Sequence, residues 1–128
     1  MFILTVPPGI YRCAASPYER ACLIAAYFKR HAIPGKVILI DSREGPAVNS
    51  AGFLDAFQEL YSGHIEYMNS TIVRSVDPYN KILKTDFDEI KFESAAIYPR
   101  VRAARMIERF GLHNPNSVQK EANIDPFN

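Results

Sequence analysis

Apolar and polar positions alternate along the chain in short blocks, and the blocks change period. FILTV (2–6) is a brief β-rich run halted by Pro7-Pro8, which predicts a strand leading into a loop over 7–15. From Pro17 to His31 the apolar residues fall at helical spacing, with Leu23, Ile24, Tyr27 and Phe28 as the expected buried face. Pro34-Gly35 closes that segment. KVILID (36–41) is nearly continuous in apolar character, as in a strand covered on both faces. A second helix is expected over about 50–61, with Phe53, Leu54, Phe57 and Leu60 inward, and a third strand over HIEYM (64–68).

TIVRSV, KILKTDF and DEIKFE come next, separated by polar turns such as DPYN, and read as an antiparallel meander. SAAIYP (94–99) is expected to return to the core as a strand, and 101–110 to form a helix ended by Gly111. The polar stretch after it reads as a loose tail. This order predicts an α/β fold: a Rossmann-like, three-layer domain with a mostly parallel sheet plus a small antiparallel β-meander. It would occupy 1–112, with 113–128 as a tail or linker.

The chain has 128 residues, the size of one domain with one core. Its formal net charge of +1 offers no basic field for nucleic acid. Its longest apolar runs, ACLIAAYF and KVILI, are too short to span a membrane. MFILTVPP has neither a charged lead nor a small-residue cleavage site, so no export signal is read there. Two cysteines, Cys13 and Cys22, cannot build a disulfide framework and lack companions for a zinc site.

A dinucleotide site needs G-x-G-x-x-G at the first strand–helix turn, so that a pyrophosphate can approach backbone N–H groups. Here the turn is VPPGIYRCAASPYERA, with Gly9 alone, which argues against NAD. Asp41 stands where such folds place a ribose-binding acid, but without the glycines it reads as a loop-starting or helix-capping aspartate.

Ser16, Pro17 and Glu19 fit the N-cap, first and third positions of a helix, a capping box worth roughly 0.5–2 kcal/mol. Cys13 lies just before it, where the helix N-terminus, Arg12 and Arg20 would favour the thiolate. The alternative is a cysteine acting as a small buried hydrophobe. Cys22, inside the helix, is expected to be inert packing. His31, His64 and His113 read as helix-end, loop or strand-edge residues. Arg100, Arg102 and Arg105 read as a solvated helix face.

The stretch VPPGIYRCAASPYERACLIAAYFK resembles the flavoprotein subunit of flavocytochrome c sulfide dehydrogenase, chiefly through Arg12-Cys13 and Pro17-Tyr18-Glu19-Arg20. KVILIDSRE, HIEY, the 76–99 segment and RAARMIERFGL are similar to the later strands and helix of that family, so the likeness reaches Leu112. The family belongs to the FAD-dependent pyridine nucleotide–disulfide oxidoreductases, and this chain is similar to its second, NAD-binding-like domain.

The resemblance implies that Cys13 is one cysteine of a flavin-facing redox pair and that Glu19 is a base beside it. For Glu19 that role competes with capping, and it would require burial to raise its pKa. Pro8, Tyr18 and Pro99 are implied as flavin-facing, and Tyr11 and Tyr98 could line the same surface, although buried tyrosines with bonded hydroxyls are commoner. FAD would be held by the FAD-binding domain of the same protein, with none bound tightly to this piece. Electrons would pass to a c-type cytochrome, and the compartment would be the periplasm.

Three departures accompany the likeness. Ala122, in EANID (121–125), stands where the family has its second cysteine; Pro99-Arg100-Val101 replaces Pro-Pro-Gln; and Ala14-Ala15-Ser16 replaces Pro-Pro-Gly. A disulfide relay needs two sulfurs. Neither a glycine-rich FAD turn nor a terminal Gly-Asp element is present, so an excised second domain, inactive alone, is expected. The alternatives are a non-catalytic α/β structural or docking module, or a domain of a sulfide:quinone or NAD-linked relative.

Overall fold

In the computed structural model, which describes residues 1–9 and 11–124, four strands form one parallel sheet. They are β1 (Phe2–Thr5), β2 (Val37–Ile40), β3 (Ile65–Met68) and β7 (Ser94–Ala96), in the order β3-β2-β1-β7. Helix α1 (Ser16–Arg30) connects β1 to β2. Helix α2 (Ser50–Asp55), continued by a π-helical turn (Ala56–Leu60), connects β2 to β3. The crossover from β3 to β7 carries a second, three-stranded antiparallel sheet: β4 (Val73–Asp77), β5 (Ile82–Thr85) and β6 (Glu89–Lys91). The α/β reading of the sequence therefore holds, with the parallel sheet as the middle of three layers.

Alternation along the strands divides the core. Leu4, Val37 and Leu39 face α1 and pack with Tyr18, Ala21, Ala25, Phe57 and Ile65. Ile3, Ile38 and Ile40 face the opposite way and meet Leu83 of β5, with Val73, Val76 and Ile90 around it. A strand clothed on both sides shows no polar alternation, which is why VILI is buried throughout.

Two helical faces differ from expectation. On α1 the buried stripe is Pro17, Tyr18, Ala21 and Ala25, while Leu23 is 70% and Tyr27 56% exposed. Alanines let the helix axis approach the sheet closely, so Ala21 and Ala25 join Tyr18 inside, Ile24 and Phe28 pack at the margin of the core, and Leu23 and Tyr27 lie outside. In the second helical segment Tyr61 N–H donates to Ala56 O, an i→i+5 bond that inserts one extra residue into the turn. The inward position slips from Leu60, which is exposed, to Tyr61, which packs on the core. β7 also differs: it is an edge of the sheet, with Ala95 and Ala96 half-buried.

The chain divides into two compact units, Met1–Tyr98 and Pro99–Asn128. Within the second, α3 (Arg105–Arg109) is shorter than expected and stops at Gly111, whose φ of 67° suits glycine. Arg102 pairs with Glu108, and His113 bridges Ala122 through the backbone. Asp125 of the 121–125 element lies outside the described residues.

Candidate functional site

Because all four strands of the main sheet are parallel, their carboxyl ends share one edge, and the loops after β1 and β2 meet there. Asp41 follows β2 directly and is fully buried. Its Oδ2 accepts hydrogen bonds from the Tyr18 hydroxyl at 2.6 Å and the Tyr67 hydroxyl at 3.1 Å. Its Oδ1 accepts from the Arg43 backbone N–H and from Arg43 Nη1, both at 3.0 Å. Four donors thus converge on one carboxylate. Burial first, and then the hydrogen bond to Asp41, pushes the Tyr18 phenol far above its ordinary range. Burial and the Asp41 charge do the same to Tyr67. Both tyrosines stay protonated and serve as donors.

Arg43 extends the network to the β1–α1 loop. Its Nη2 donates to Pro7 O at 3.1 Å and to Gly9 O, and its guanidinium lies 5.4 Å from the centre of the Tyr11 ring. Gly9 adopts a φ of 81°, which presents that carbonyl at no steric cost.

This arrangement tests whether a dinucleotide fits. Such a ligand needs open N–H groups at the first turn and an unoccupied carboxylate after β2. Here the turn offers the Pro7 and Gly9 carbonyls to Arg43, and the oxygens of Asp41 already carry four donors. At this turn the Asp41 carboxylate and the Pro7 and Gly9 carbonyls are engaged by the chain's own donors, a pattern unlike a dinucleotide turn. The sequence reading placed Asp41 at a loop start but did not pair it with Arg43. The signal for that pair is local: an acid and an arginine two residues apart directly after a buried strand.

Cys13 is exposed on the same loop, ahead of α1. Its carbonyl accepts from Ser16 N–H at 3.1 Å, which folds the loop into the helix. The helix begins one residue earlier than the capping-box reading requires. Ala15 is the N-cap and its carbonyl accepts from Tyr18 and Glu19 N–H, while no side chain caps the terminus. Ser16 and Glu19 therefore form no capping box, and the Glu19 carboxylate stands exposed in the first turn. The described residues do not bury the Glu19 side chain.

Cys22 is half-buried and burial pushes its thiol up, which suits packing and not chemistry. Tyr18 lies wholly inside the core, its hydroxyl spent on Asp41 and Ala47 N–H, so it presents no outward surface. Pro8 is half-buried beside Pro7. Tyr98 receives Arg20 Nη1 at 3.1 Å and donates its N–H to Thr5 Oγ1, closing the same edge. Pro99 is exposed and belongs to the second unit. No group of three or more His, Cys, Asp or Glu among the described residues is placed to hold a metal.

A family model described as the central part of the flavoprotein chain of flavocytochrome c sulfide dehydrogenase matches residues 1–99. The chain belongs to this family. Its residues 1–99 match the central part of a sulfide dehydrogenase flavoprotein, and the match spans the parallel sheet, the meander and the Cys13 loop. The family implies FAD in the full-length protein, together with a flavin domain and a cytochrome c partner. No helix among the described residues of the central domain is long and apolar enough to cross a membrane.

Proposed function

We propose that this central domain serves sulfide oxidation by presenting Cys13 toward FAD held by the FAD-binding domain of the same flavoprotein. Glu19 would accept a proton beside it, and electrons would leave to a c-type cytochrome in the periplasm. The observation that carries this reading lies at one sheet edge: Arg43 joins buried Asp41 to the Pro7 and Gly9 carbonyls, while Cys13 on the same loop is exposed. FAD, when bound in the neighbouring domain, supplies acceptance of two electrons. The residues of this chain supply a sulfur on a defined loop and a carboxylate six positions later.

Glu19 becomes a stronger base only where a neighbouring domain covers it, since burial disfavours the charged form of a carboxylate. The isolated chain is accordingly expected to retain no flavin and to turn nothing over.

The test is sulfide-dependent reduction of a c-type cytochrome by the flavoprotein carrying this domain. Cys13→Ser should abolish it with flavin content unchanged, and Glu19→Gln should lower it by about 10²–10⁴-fold, the range for a lost proton-transfer group. Full activity in Cys13→Ser would overturn the proposal.

A further inference from the structure

The loop that carries Cys13 is restrained from a neighbouring loop by one side chain. Arg43 Nη1 is fixed on buried Asp41 at 3.0 Å, and Asp41 is itself fixed by Tyr18 and Tyr67. From that anchor Nη2 reaches Pro7 O and Gly9 O, and the guanidinium lies over Tyr11. The Tyr11 hydroxyl in turn donates to Ala14 O at 2.9 Å. The held positions are 7, 9, 11 and 14, which bracket Cys13 on both sides along the chain.

We infer that Arg43 is a positioning residue for Cys13: it transmits the rigidity of the buried Asp41 centre to the loop on which the sulfur sits. The consequence for catalysis rests on the proposed role of Cys13, whereas the restraint of the loop rests on the contacts alone. Only a forked, planar group can face a carboxylate with one nitrogen and two carbonyls with the other while lying over a ring. A lysine at 43 could pair with Asp41 but could not hold the loop at the same time. The Ala14-Ala15-Ser16 sequence has none of the stiffness of prolines, so the loop depends on its hydrogen bonds, of which those from Arg43 come from outside it.

The experiment uses Arg43→Lys and Tyr11→Phe in the 128-residue chain. Backbone ¹⁵N order parameters at Arg12, Cys13 and Ala14 should fall from about 0.85 toward about 0.6 or below in Arg43→Lys, with β1, β2 and α1 unchanged. Tyr11→Phe leaves the Asp41–Arg43 pair intact and should loosen Cys13 and Ala14 alone. In the flavoprotein carrying the domain, Arg43→Lys should lower kcat by about 10-fold or more with little change in KM, since small misplacement of a reacting group costs up to about 10².

Loop order parameters equal to wild type in both variants, or a fall spread evenly over the sheet, would overturn the inference. So would a loosened loop with unaltered kcat in an enzyme that needs Cys13. If Cys13→Ser proves fully active, the proposed function fails, and the order parameters still decide whether Arg43 positions the loop.

Discussion

Tyr18 and Asp41 stand 23 residues apart in sequence, yet the tyrosine hydroxyl meets the carboxylate at 2.6 Å in the fully buried interior. The same hydroxyl accepts Ala47 N–H at 3.0 Å, so it links α1, the end of β2 and the loop before α2. A charge this deep is tolerated because every donor around it is aimed at it.

Tyr18→Phe removes one of those donors and leaves the ring. Hydrogen bonds to charged groups are worth about 1.5–3 kcal/mol, so a destabilisation of that size is expected in urea unfolding. A change below about 0.5 kcal/mol would mean that water replaces the hydroxyl without loss.

Ala25 is fully buried where α1 meets the sheet. Ala25→Leu should cost about 1–3 kcal/mol by overpacking, read as a lowered denaturant midpoint. Leu23→Ala, on the exposed flank, should change stability by no more than about 0.5 kcal/mol. The two results together test which face of the helix is inward.

Cys13 is exposed, whereas Cys22 is half-buried with its thiol pushed up by burial. Near neutral pH, iodoacetamide should label Cys13 first, because Cys22 has less thiolate and less access. Peptide mass mapping at short times would show it; preferential labelling of Cys22 would contradict the assigned burial.

The β4–β5 turn carries a pH dependence. Asp77 accepts from Asn80 N–H at 3.0 Å, Asn80 Nδ2 at 2.7 Å and Tyr79 N–H at 3.0 Å, and these bonds hold its carboxyl below the ordinary 3.8. A carboxyl depressed in the folded state stabilises the fold above its unfolded value, and that contribution is lost as pH falls through the lower, folded one. Stability should therefore decline below about pH 3.8 more steeply in wild type than in Asp77→Ala. Thermal unfolding from pH 2 to 6 would measure the difference.

The strands were legible because VILI and its neighbours carry their burial in their own composition. The alternation of Ile3 and Leu4 between two separate clusters follows from strand geometry alone. The inward face of α1 was legible in part: Ile24 and Phe28 pack on the core as expected, but Leu23 and Tyr27 are exposed, and the fully buried stripe includes Ala21 and Ala25. Leu60 was misplaced for another reason: the i→i+5 bond from Tyr61 changes the helical period within the segment, and nothing local announces it. At the sheet edge, the glycines of a dinucleotide turn are missing from the sequence, and the structure sets Arg43 against the Pro7 and Gly9 carbonyls there. The Asp41–Arg43 centre depends on Tyr18 and Tyr67, which only folding brings together.

β1 lies inside the sheet between β2 and β7, pairing with Ser94–Ala96 through Phe2, Ile3 and Leu4. Of the four parallel strands it leaves the ribosome first, yet it waits longest for its second neighbour, since the entire meander is synthesised before β7. Until then one side of β1 has bare amides and carbonyls, and the nascent domain has reason to stay open, or to be shielded by a chaperone, until β7 emerges.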